Sequence, residues 1–134
     1  MFSADELRRP SLSEITIMPL TIEILPYYLL VSGDGLGSLS EAQQHFRDLS
    51  ALLVTERKAA KGVRLLIDLQ RARPHSPEVA AHIERVLPML YREGDRVAVL
   101  VQNTSIKVGT KTSHNPLYSD VFLSREAAEA YLSG

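Results

Sequence analysis

Val63-Arg64-Leu65-Leu66-Ile67-Asp68-Leu69 is the stretch that decides the fold. It is nearly all apolar, with no polar side recurring at every second position. A strand that alternates has one wet face; a strand that does not is buried on both faces, as in a parallel sheet covered by helices. The run is therefore expected to be a central strand. A second run of the same kind, Arg96-Val97-Ala98-Val99-Leu100-Val101, is expected beside it.

The segments around these runs read as helices. Ser38 stands three residues before Glu41, the spacing of a capping box, and Leu39, Ala42, Phe46, Leu49, Leu52 and Leu53 follow on one helical face. This helix is expected to stop near Lys61, with Gly62 closing it in the left-handed conformation. Ser76-Pro77-Glu78 combines an N-cap, a proline in the first turn and an acid near the positive end of the helix dipole. Val79, Ile83, Val86, Leu87 and Leu90 give that helix its buried stripe; Pro88 should kink it and Gly94 close it. A last strand, Asp120-Val121-Phe122-Leu123, leads through a Ser124 cap into a helix carrying Ala127, Ala128, Tyr131 and Leu132.

Towards the N-terminus, Ile15, Ile17, Leu20, Ile22, Ile24 and Leu25 form a broken alternation interrupted at Pro19, which marks an edge strand. Tyr27 to Ser32 is a second strand, antiparallel to the first. Gly33 to Gly37 then turns the chain into the first helix. Residues 102–116 are expected to hold a short helix weakened by Gly109. The order is ββαβαβ(α)βα: an α/β fold with a mixed sheet of about five strands and covering helices. Residues 1–13 are expected to be a flexible N-terminal arm and residues 14–134 a single domain.

Composition narrows the function. The chain has 134 residues, a net charge of −1 and no cysteine. The charge argues against a general nucleic-acid binder, and the missing thiols exclude disulfides and thiolate metal sites. No run approaches a bilayer span and no secretory leader opens the chain, so a cytoplasmic location is expected. The histidines, His45, His75, His82 and His114, form no metal-ligand motif. No cofactor and no metal are expected.

The element order, with Tyr28-Leu29-Leu30-Val31-Ser32-Gly33, Ser40-Glu41-Ala42, the two apolar runs and Val121-Phe122-Leu123-Ser124-Arg125-Glu126-Ala127-Ala128, resembles the STAS domain, in its stand-alone SpoIIAA-like bacterial branch. The resemblance spans residues 14–133. It implies a regulatory, protein-binding domain; related branches bind partner proteins, nucleotides or lipids. Antagonists of the family carry a phosphorylatable serine in an Asp-Ser pair at the helix after the central strand. Here that place reads Arg73-Pro74-His75-Ser76-Pro77-Glu78, and the pair is missing.

Open α/β sheets bind ligands at the carboxyl ends of their strands. Three loops should meet there: 33–37, 70–75 and 102–104. They supply the candidate binding residues Asp34, Arg71, Arg73, His75, Ser76 and Asn103. The arginines beside a helix N-terminus suit a small anion, and solvated loop charge is the plainer reading. Asp68, His75 and Ser76 form a conceivable hydrolytic trio, but there is no Gly-x-Ser-x-Gly elbow and capping is the plainer role for Ser76. No catalytic residue is assigned. Lys107, Lys111 and His114 give a locally basic loop suited to docking. Tyr27 and Tyr28 beside Leu25 offer an apolar edge for a homodimer, with one tyrosine exposed. The expected function is a non-catalytic regulatory or protein-interaction domain; the alternative is a carrier or sensor of a small lipid, nucleotide or anion.

Overall fold

The computed structural model describes residues 19–111 and 115–134. The expected arm, residues 14–18 of the first expected strand, and His114 lie outside the described residues. The elements are β1 (Thr21–Ile24), β2 (Leu29–Ser32), α1 (Leu39–Ala59), β3 (Arg64–Asp68), α2 (Pro77–Leu90), β4 (Arg96–Leu100), α3 (Thr104–Lys111), β5 (Ser119–Phe122) and α4 (Arg125–Ser133).

The five strands form one sheet in the order β1-β2-β3-β4-β5. β1 runs antiparallel to β2 and every other pair is parallel. The apolar run at 63–69 is indeed central: Leu65 and Leu66 are fully buried, on opposite faces. Leu65 packs into the larger core with Leu49 and Leu53 of α1 and Val79 of α2. Leu66 packs on the other side with Ala128 and Leu132 of α4. Two helices thus cover one face of the sheet and α4 the other, while α3 lies against β5.

Several local expectations change. β1 begins at Thr21, and among the described residues Pro19 makes an isolated bridge to Gly35. A proline lacks the N–H that a ladder needs, so pairing starts after it. Residues 25–28 turn the chain, with Leu25 N–H donating to the Tyr28 carbonyl at 3.0 Å, so β2 starts at Leu29 rather than Tyr27. β5 is shifted to Ser119–Phe122.

Gly62 is not left-handed. The capping residue of α1 is Ala60, in extended conformation, and Gly62 sits where a Cβ would come within 2.0 Å of the Gly94 carbonyl oxygen. Close approach of two loops, not a helix cap, demands this glycine. Gly94 does not close α2 either. That helix ends at Leu90, and Gly94 stands in the following turn at φ 104°. The short helix within 102–116 is present as α3 despite Gly109.

The serine caps form at all three sites. Ser38, Ser76 and Ser124 accept from the N–H of Glu41, Val79 and Ala127 at 3.1, 3.2 and 3.1 Å. In the first, the Glu41 carboxylate accepts from Gly37 N–H at 2.8 Å, one residue outside the usual reciprocal partner.

Candidate functional site

The three carboxyl-end loops do lie together, braced by hydrogen bonds. Arg73 N–H donates to the Asp34 carbonyl at 2.8 Å, and the Gln102 side-chain amide donates to the Ala72 carbonyl at 3.1 Å. Leu36 N–H donates to His75 Nε2 at 3.2 Å. Nε2 must then be unprotonated, and burial lowers the pKa of this ring below its ordinary value. Gly35, at φ 127°, lets the first loop pass over the ring: a Cβ there would stand 3.2 Å from His75 Nε2.

The candidate residues divide by role. Asp34 is buried, and the exposed Arg71 pairs with its carboxylate at 3.8 Å. Arg73 is exposed on the same loop. His75 is half-buried and aimed at the first loop. Ser76 Oγ faces its own helix and caps α2. Asn103 Oδ1 accepts from Ile106 N–H at 3.0 Å at the start of α3. Asp68 accepts from Gln70 N–H at 3.0 Å. The three side chains of the conceivable trio are therefore each engaged with a different backbone N–H. Among the described residues no group of three or more His, Asp or Glu could hold a metal ion.

Two cavities lie elsewhere. One, of about 550 Å³, runs between β1 and α1, with Leu20, Ile22, Leu36 and Leu52 as its apolar lining and Glu41, His45 and Asp48 on its helical side. Burial lowers the pKa of His45, outweighing the opposing pull of Asp48. The other, of about 410 Å³, opens at the opposite end of the sheet beside Tyr27, Lys61 and Arg64. Neither is lined by the second or third loop. Tyr27 is 86% exposed there, while the Tyr28 hydroxyl donates to Glu129 at 2.6 Å and accepts from Arg125 at 2.9 Å.

A solved structure from Shewanella loihica PV-4, an uncharacterised protein of the DUF3478 family with a SpoIIAA-like fold, superposes with a TM-score of 0.63 over 84% of this chain and 91% of that chain, at 20% identity. The chain has a SpoIIAA-like fold. No family model matches the chain, and no curated protein matches it. In this SpoIIAA-like sheet, the loop after β3 and the start of α2 hold Arg71, Arg73, His75 and Ser76. Among the described residues, no helix is long and apolar enough to cross a membrane.

Sequence reading placed these loops together but missed what braces them. The His75–Leu36 contact joins positions 39 apart, and no spacing rule connects them. The β1–α1 cavity was also missed. Leu20, Ile22 and Leu52, which line it, read in the sequence as ordinary core positions.

Proposed function

We propose that the chain is a non-catalytic regulatory domain that docks a protein partner on the carboxyl-end loops. One observation carries this reading: His75, Ser76 and Asp68 are each bonded to a backbone N–H, so they brace loops and cap a helix instead of facing one another. A nucleophile needs its base within hydrogen-bond reach, and His75 Nε2 is directed at Leu36. Bracing leaves a firm surface on which Arg71, Arg73, Pro74 and Gln102 are exposed. A surface that changes little on binding loses little conformational entropy when a partner docks. The domain acts in the cytoplasm and carries no cofactor.

A second reading, a carrier of a small apolar ligand, is favoured by the β1–α1 cavity, which falls in the size range of ligand pockets. Native mass spectrometry of the purified chain, with a fluorophosphonate labelling assay, separates the readings. The docking domain is expected at its bare mass and unlabelled. A co-purified small molecule would favour the carrier, and a covalent adduct at Ser76 would overturn the non-catalytic reading.

A further inference from the structure

The two edges of the sheet are finished differently. β5 is covered by α3 and by α4. Among the described residues β1 has β2 as its chief neighbour, and Thr21, Glu23 and Ile24 are exposed, Ile24 by 65%. An uncovered edge strand presents backbone N–H and C=O groups to any extended chain that comes alongside. Natural edges are blunted by charge, proline or a covering element; here Pro19 stands before the strand and Glu23 is its single charge.

Directly beside this edge lies the 550 Å³ cavity between β1 and α1. Leu20, Ile22 and Leu52 are only partly buried, so the main core continues into it with no cover from the described residues. Among the described residues its charged lining is of one sign: Glu41 and Asp48. Each already accepts one hydrogen bond, Glu41 from Gly37 N–H at 2.8 Å and Asp48 from Gln44 at 2.7 Å, and an ionised carboxylate accepts several. Burial lowers the pKa of His45, beside them, which disfavours its charged form.

We propose that β1 and the β1–α1 groove take an extended segment of a partner protein, alternating apolar and basic residues, as an added strand. Backbone pairing to β1 supplies register, the apolar residues enter the groove, and the basic residues meet Glu41 and Asp48. This rests on the docking function proposed above and gives that partner a chemistry. Leu36 lines the groove and belongs to the braced first loop, so the segment runs continuously from the loop edge.

The test uses the full chain with two short labelled peptides, one alternating valine and lysine, the other valine and glutamate. Fluorescence anisotropy reads affinity, and hydrogen exchange reads protection of the Thr21–Ile24 amides. The lysine peptide should bind at least about tenfold tighter than the glutamate peptide. It should protect β1, and it should lose at least about tenfold on Asp48→Lys, a surface change on α1. Equal binding of the two peptides, or binding that leaves β1 unprotected, overturns the proposal. Concentration-dependent protection of β1 without peptide would assign the groove to a second copy and also overturn it. So would stronger probe binding after Arg8→Glu and Arg9→Glu, which would assign it to the start of this chain. A protein partner crosslinked at the loop edge while β1 stays silent would overturn the groove and leave the docking function standing.

Discussion

Arg57 of α1 forms an ion pair with Asp95, a carboxylate buried in the turn between α2 and β4. Asp95 also accepts from Val63 N–H and Arg92 N–H, each at 3.0 Å, while Arg57 donates to the Leu90 carbonyl at 2.8 Å. One carboxylate thus ties the end of α1, the start of β3 and the turn into β4. These contacts gather at the amino end of the parallel strands, opposite the three loops. Tyr91, buried beside Asp95, has its hydroxyl pKa raised by burial first and by this carboxylate second.

Asp95→Ala leaves a half-buried guanidinium and two backbone N–H groups without this partner. Breaking one side of such a pair costs about 3–5 kcal/mol. Urea unfolding should show a loss in that range, and a loss under about 1 kcal/mol would contradict the role given to Asp95.

Gly62→Ala should destabilise the chain by about 1–3 kcal/mol or more, because its Cβ would overlap the Gly94 carbonyl. Gly109→Ala, inside α3 with nothing within 4 Å of the added carbon, should stabilise by about 0.5–1 kcal/mol. Thermal melts of the two variants should shift in opposite directions. Shifts of the same sign would contradict the distinction between close approach and open helix surface.

Much of this fold is legible in the sequence because local chemistry and burial agree. Val63–Leu69 has no polar face and becomes the central strand; Ser38, Ser76 and Ser124 stand at helix starts and cap them. Position-to-position relations across the fold are not legible. Arg57 and Asp95 are 38 residues apart, and each alone reads as an ordinary surface charge. Gly62 after a helix suggests a left-handed cap, but its reason lies in Gly94, on another loop. At the loop edge the composition pointed to Arg71, Arg73 and Ser76. It could not show that Arg71 is paired with Asp34 or that Asn103 caps α3.

Stability should fall on acidification through the two histidines. Burial lowers the folded-state pKa of His75 and of His45, so the unfolded chain takes up protons first as pH falls. The contribution is complete above the unfolded-state value of about 6.5 and is lost as pH drops towards the folded values. Protonated His75 also ceases to accept from Leu36 N–H. Melting temperatures between neutral and mildly acid pH should decline less steeply in His75→Asn than in the parent, and less again with His45→Asn added. An unchanged slope in the double variant would contradict this.

Ser76→Ala should cost about 1 kcal/mol, the usual worth of an N-cap side chain, and leave partner binding intact at neutral pH. Calorimetric unfolding checks the first part. Loss of all binding by a folded Ser76→Ala chain would instead place the hydroxyl in the interface.

The most direct test of the central claim is site-specific photo-crosslinking in the source cell. A photoreactive residue at Pro74, exposed on the second loop, should capture one discrete protein, and the same residue at Val54, exposed on α1, should not. No captured protein from Pro74, or equal capture from both positions, would contradict docking on the carboxyl-end loops.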